Sequence, residues 1–187
     1  MLEVEVRYRV NDFAVIRQQL AQWGASPCPE RLEIDHYFNA PHRDFRVTDE
    51  ALRLRQIGER NWLTYKGPRR DTQTKTRPEI EVRLAEGDLP AQCAEELLVA
   101  LGFRFVGVVR KRRQVYRFTR HGFPMELCWD QVHQVGTFVE LEILTEEDHY
   151  PQAQAALLQT AAELGLQERV WRSYLQMVLE AIESQAE

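Results

Sequence analysis

Apolar and polar residues alternate strictly along residues 2–10, LEVEVRYRV. Leu2, Val4, Val6, Tyr8 and Val10 fall on one side of an extended chain, and Glu3, Glu5, Arg7 and Arg9 on the other, so the segment predicts a strand. The period then lengthens. In NDFAVIRQQLAQWG (11–24), Phe13, Ile16, Leu20 and Trp23 form a helical stripe, with Asn11 or Asp12 as cap and Gly24 as stop. ASPCPE reads as a turn, RLEIDHYFN as a strand and APHRDFRVTDE as a loop. ALRLRQIG and NWLTYKG predict a hairpin around Gly58. PRRDTQTKTRP (68–78) has no large apolar side chain and predicts a mobile loop.

EIEVRL resumes the alternation, and LPAQCAEELLVALG is a helix between Pro90 and Gly102. FVGVVRKRRQVYRF and FPMELCWDQV are strands joined by TRHG, and TFVELEIL is the last strand. Two helices close the chain, over 148–164 and 168–183, the second with Val170, Tyr174, Leu175, Val178 and Ile182 on one side. Glu-x-Glu opens a strand at 3, 79 and 140. After the first two, a helix and then further strands follow. The repeat predicts an α+β fold, with two βα-plus-hairpin halves in one sheet system. With no linker in view, 1–187 reads as a single domain.

Composition narrows the setting. The chain has 187 residues, 44% of them hydrophobic, enough for a real core. Its 24 basic and 29 acidic residues leave a net charge of −5, and no long basic tract suggests nucleic acid. No apolar run has bilayer-spanning length, and a charged strand rather than a signal peptide follows Met1. Cys28, Cys93 and Cys128 are odd in number and scattered, which fits reduced thiols. A cytoplasmic protein without a membrane partner is the expectation. The five histidines show no metal-ligand spacing, and no glycine-rich phosphate loop or nucleophile elbow is present.

The polar faces of the strands change the picture. They carry Glu3, Glu5, Arg7 and Arg9; Arg53 and Arg55; Lys66; Glu79, Glu81 and Arg83; Lys111 and Arg113; Glu126 and Asp130; Glu140 and Glu142. An ordinary wet face mixes in Ser, Asn and Gln, whereas this one is almost wholly ionic. Arg and Lys match phosphate oxygens. Carboxylates hold Mg2+ or Mn2+. A polyphosphate needs both. If the sheet closes with this face inward, the result is a charged tunnel that must hold water, ions or an anion.

These residues resemble the CYTH, or triphosphate tunnel metalloenzyme, superfamily, which includes class IV adenylyl cyclases, thiamine triphosphatases and inorganic triphosphatases. EVEVR is similar to its Glu-x-Glu-x-Lys signature, and YFNAP followed by ALRLR to its Tyr-Phe-Asp-Thr-Pro and Leu-Arg-x-Arg stretch. LTYKGP, EIEVRL, KRRQVY, WDQVHQVGTFVELE and RSYLQMVL resemble later motifs in order, the last being like the Ser-Tyr helix of cyclase-like members. The resemblance implies a closed antiparallel barrel of about eight strands with flanking helices. It implies a triphosphate held by Arg53, Arg55, Lys66, Arg83, Lys111 and Arg113, joined by Arg7. Divalent ions would sit on Glu3, Glu5, Glu140 and Glu142, with Asp130 next. Glu79 and Glu81 would bind metal or orient arginines, and Glu3, Glu5, Arg7 and Lys111 would be catalytic. Arg7 departs from the signature lysine and stays protonated, so it is no general base. Asn39 and Ala40 also replace the usual Asp-Thr. The leading expectation is a metal-dependent adenylyl cyclase, the alternatives a triphosphatase and a non-catalytic triphosphate-binding module. A homodimer is common among relatives.

Overall fold

The computed structural model describes residues 2–186. The first alternating segment forms β1 (Leu2–Arg9), and the helical stripe forms α1 (Ala14–Gln22). Asp12 accepts from the Ala14 amide at 2.8 Å, and Gly24, at φ 74°, ends the helix. There follow β2 (Ser26–Pro27), β3 (Arg31–Asn39), α2 (Phe45–Thr48), β4 (Ala51–Ile57), β5 (Arg60–Lys66) and β6 (Arg77–Arg83). Then come α3 (Asp88–Ala100), β7 (Arg104–Arg120), β8 (Phe123–Val132), β9 (Gly136–Thr145), α4 (Tyr150–Glu163) and α5 (Tyr174–Ala186). Gly58 turns the β4–β5 hairpin at φ 57°.

The strands lie in the order β7-β3-β4-β5-β6-β1-β9-β8, and β8 pairs back onto β7. All pairings are antiparallel, so the sheet closes as an eight-stranded barrel, with β2 added beside β7. Exchanging β1 with β6, β3 with β7, β4 with β8 and β5 with β9 leaves this order unchanged. The two-half organisation is therefore real.

Because alternation sends the charges inward, the apolar faces point outward and need cover. Val4, Val6, Leu127, Leu141 and Ile143 pack against Ile16 and Leu20 of α1 and Leu157 of α4. Leu52, Leu54 and Phe38 pack with Ala91 and Leu98 of α3. Val109, Val132 and Phe138 instead share the inward face of Lys111, Asp130 and Glu140, and there they pack with Tyr174, Met177 and Val178 of α5. At about 25 cal/mol per Å2 of apolar area, each buried Leu or Ile on these faces contributes roughly 1.5–3 kcal/mol. Among the described residues no helix is long and apolar enough to cross a membrane.

Three expectations are corrected. The segment expected as a loop at 40–50 contains α2, opened by Asp44, whose side chain accepts from the Arg46 amide at 2.9 Å. The last helix starts at Tyr174 rather than 168. Residues before it run extended beside β1: the Val170 amide donates to the Arg7 carbonyl and the Arg9 amide to the Glu168 carbonyl, each at 2.8 Å. An open strand edge outcompetes helix propensity there.

Segment 68–78 is the third. Thr74, Lys75 and Thr76 are buried. Asp71 accepts from the amides of Gln73 and Thr74 at 2.6 and 2.7 Å and from the Tyr150 hydroxyl, while Gln154 donates to the Thr74 hydroxyl at 3.0 Å. β1 meets β6 only at Leu2–Pro78 and Glu3–Arg77, and farther along the Lys75 amide donates to the Glu5 carbonyl at 2.8 Å. The segment completes the wall with hydrogen bonds instead of apolar burial.

Candidate active site

The register decides which charges meet. On the inner face it sets Asp35 opposite Arg55, Glu33 opposite Lys111, Arg113 opposite Asp130, Arg7 opposite Glu140 and Lys66 opposite Glu79. Each is a complementary cross-strand pair, the favourable arrangement. Glu142 breaks the rule: it stands opposite Glu5 on one side and Glu126 on the other. Like charges placed directly opposite one another are destabilising, and such a place calls for a cation.

The inner faces bound a cavity of about 1070 Å3. One wall is cationic, with Arg53, Arg55, Lys66, Lys111 and Arg113 lining it. Arg55 grips Asp35 by a fork at 2.6 and 2.7 Å, and Arg113 grips Asp130 with its Nε at 2.7 Å. Lys66 lies 2.6 Å from Glu3 and 2.9 Å from Glu79. Burial works to discharge Lys66, but Glu3, Glu79 and Glu5 together outweigh it and hold the ammonium above its usual range. Arg53 is the least engaged, its nearest carboxylates being Asp35 at 3.7 Å and Glu79 at 3.8 Å, and its buried Nε has no partner among the described residues.

The acidic wall is Glu3, Glu5 and Glu142, whose carboxylate oxygens lie within 4.8 Å of one another. Burial pushes Glu142 well above the usual carboxylate range, and Glu3 and Glu140 beside it add to the effect against Arg113. Burial likewise raises Glu3. An oxygen-only set of crowded carboxylates that resists ionisation fits a hard divalent cation such as Mg2+ or Mn2+. Glu126 and Cys128 form another group with Glu142, but burial keeps the Cys128 thiol protonated, which disfavours it as a ligand.

Asp130 and Glu140, expected to bind metal, are otherwise engaged. Asp130 is fully buried behind the cavity wall, held by the Arg113 fork and by the Tyr174 hydroxyl at 2.8 Å. Glu140 spends one oxygen on Arg7 and the other on Arg113. Arg7, expected to bind phosphate, is equally committed. Its Nε donates to Glu140 at 2.5 Å, Nη1 to the Arg172 carbonyl at 2.8 Å and Nη2 to Glu5 at 3.1 Å, and its guanidinium lies 3.8 Å over the Tyr174 ring. Arg83 lies apart from the cavity: its side chain is 62% exposed and pairs with Glu86 at 2.5 Å. Glu79 and Glu81 do line the cavity, Glu81 accepting from Thr64 at 3.1 Å.

Sequence reasoning missed Glu33 and Asp35, fully buried under the cations, and Lys75, which lines the cavity 3.4 Å from Glu5. Burial and the neighbouring Arg7 push the Lys75 ammonium down to about 7. The i,i+2 spacing of Glu33 and Asp35 on β3 was a readable signal. Lys75 gave none, because its segment has no alternation.

The CYTH domain family model matches residues 1–174. The chain is 33% identical over 181 residues to a Methanocaldococcus jannaschii protein bearing the name "Putative adenylate cyclase MJ0240", covering 95% of this chain and 98% of the relative. It is 30% identical over 169 residues to adenylate cyclase CyaB of Aeromonas hydrophila, covering 88% and 81%. The structure of the PH1819 protein from Pyrococcus horikoshii superposes with a TM-score of 0.81 at 37% identity, covering 95% of this chain and 98% of that one. With a barrel closed around a two-signed cavity and a family match over nearly its whole length, the chain belongs to the CYTH domain family.

Proposed function

We propose that this protein is a divalent-metal-dependent adenylyl cyclase converting ATP to 3′,5′-cyclic AMP and pyrophosphate. The observation that carries the reading is one cavity with a cationic wall facing an oxygen-only carboxylate cluster. The names of the relatives at 30% and 33% identity favour the cyclase over other triphosphate chemistry.

Arg53, Arg55, Lys66, Lys111 and Arg113 take the triphosphate, with Arg53 the most available donor. They hold the α-phosphorus in line with the ribose 3′-oxygen. That oxygen bonds to the α-phosphorus, the α–β bridging P–O bond breaks, and its electron pair leaves with pyrophosphate. The 3′ proton passes to solvent. The cations stabilise the charge that grows on the leaving group. Mg2+ or Mn2+ on Glu3, Glu5 and Glu142 would supply a Lewis acid that lowers the pKa of the attacking hydroxyl and neutralises phosphate charge. Arg7 holds Glu140 and Glu5 in place and stays protonated throughout.

The test is a product assay with ATP, then inorganic tripolyphosphate, each with Mg2+ or Mn2+. Cyclic AMP and pyrophosphate in equal amounts are expected. Orthophosphate from tripolyphosphate without cyclic nucleotide would make the protein a triphosphatase. Tight binding without turnover would make it a binding module.

A further inference from the structure

Glu33 and Asp35 have no place in the chemistry above, yet they are among the most buried charges in the molecule, 0% and 1% exposed. They project inward from β3 toward Lys111 and Arg55, their cross-strand partners, but neither lines the cavity. They stand behind the cations that do. Glu33 Oε2 lies 3.2 Å from both Lys111 Nζ and Arg55 Nη2 and 4.0 Å from Arg113 Nε. It makes no directed hydrogen bond to any of them. Its other oxygen accepts from Arg31 at 2.7 Å. Asp35 instead takes the Arg55 fork and lies 3.7 Å from Arg53. One carboxylate is thus a shared, undirected charge, and the other an orienting clamp.

We propose that Glu33 is a built-in counter-anion that weakens the grip of Arg55, Lys111 and Arg113 on polyphosphate and so lets the pyrophosphate product leave, while Asp35 aims Arg55 at the cavity. The proposal rests on the triphosphate reading above. In a poorly screened interior a carboxylate at about 3 Å cancels much of each cation's field. Without it the empty tunnel would hold buried cations in mutual repulsion. With it the cations face the ligand partly neutralised. A bound anion then gains less from them, and a product with fewer phosphates than the substrate escapes sooner.

Glu33→Gln keeps the shape and removes the charge. By isothermal titration of inorganic tripolyphosphate and of pyrophosphate, each without metal, both should bind this variant about tenfold tighter than wild type. Both should also raise its thermal unfolding midpoint more. Turnover should fall in kcat, with KM falling too and inhibition by pyrophosphate stronger. Asp35→Asn should bind more weakly than Glu33→Gln, because the Arg55 fork is lost along with the charge. If Glu33→Gln purifies unfolded, millimolar tripolyphosphate should refold it, and failure to do so sinks the proposal. A folded Glu33→Gln that binds tripolyphosphate no tighter than wild type sinks it too, and leaves the triphosphate reading standing. If wild type binds neither anion, the triphosphate reading falls and this proposal with it.

Discussion

Glu140 and Glu142 sit two positions apart on β9 and face the same cavity, yet they act in opposite ways. Glu140 is held well below the usual carboxylate range: burial opposes its charge, but Arg7, Arg113, Lys111 and Lys75 together outweigh burial. Glu142 is pushed well above that range by burial among Glu3, Glu140 and Glu5. Removing each charge should therefore move stability in opposite directions. Glu140→Gln leaves two buried guanidiniums short of a partner and should cost about 3 kcal/mol. Glu142→Gln removes a charge that the metal-free fold disfavours and should add about 1 kcal/mol. Mn2+ should raise the unfolding midpoint of wild type and of Glu140→Gln, but barely that of Glu142→Gln. Thermal unfolding with and without Mn2+ checks all three, and equal Mn2+ shifts would mean that Glu142 is no ligand. Arg55→Ala should weaken tripolyphosphate binding at every Mn2+ concentration, which titration calorimetry reads directly. The inward charges of β1, β4, β7 and β9 were legible because alternation alone assigns a face. Partners were not, since they depend on register, and register emerges only when strands pair. That is why the sequence points to Asp130 and Glu140 as metal ligands without revealing that they also pair with Arg113 and Arg7.

Segment 68–78 shows where an element-scale reading by hydrophobicity stops. Its lack of large apolar residues predicts mobility, but Asp71, Thr74 and Thr76 bury polar groups in pairs, and Tyr150 and Gln154 of α4 clamp them from outside. A satisfied buried polar network fixes a segment as firmly as an apolar one. The Lys75 amide, bonded to the Glu5 carbonyl, should therefore exchange slowly with solvent even without ligand. Asp71→Ala removes the acceptor for Thr74, Gln73 and Tyr150. It should speed exchange at Thr74 and Lys75 at least tenfold, and cost about 1–3 kcal/mol. Amide hydrogen exchange read residue by residue is the measurement. Fast exchange at Lys75 in wild type would restore the mobile loop. The late start of α5 has the same kind of cause: residues 168–170 are claimed by the open edge of β1, and Ser173 then caps the helix by accepting from the Gln176 amide at 3.1 Å. Alternation and helical stripes were legible in the sequence because each is local. The claims of an open edge and of a polar clamp were not, because each comes from a distant part of the chain.

At the scale of the whole molecule, an exterior of outward-facing apolar strands under helices surrounds an ionic interior. The order of the barrel was foreshadowed by the Glu-x-Glu repeat, since the exchange that maps β1 onto β6 preserves the ring. An ionic interior makes stability a function of pH, with a sign fixed by the depressed acids. Opposing burial, Lys111 and Arg113 hold Glu33, and Arg55 holds Asp35, well below the usual carboxylate range. At the cavity rim, Arg43 lowers Glu50 to about 2. A carboxylate depressed in the folded state contributes stability above its unfolded value, 4.5 for Glu and 3.8 for Asp, and loses that contribution as pH falls toward the folded value. Without metal, protonation of the raised Glu142 and Glu3 should lift unfolding midpoints as pH falls from 7 toward 5, and loss of the depressed acids' contribution should then drop them steeply between about 4.5 and 2. Glu50→Gln isolates one contributor outside the acidic cluster. Its Arg43 partner is 39% exposed. Solvent screening therefore leaves this pair only a small pH-dependent contribution, read as a small shift of the unfolding midpoint. The variant should start lower than wild type at pH 7 and converge with it near pH 2. Parallel profiles over that range would show that the Arg43–Glu50 pair contributes nothing to acid sensitivity, leaving it to the tunnel carboxylates alone.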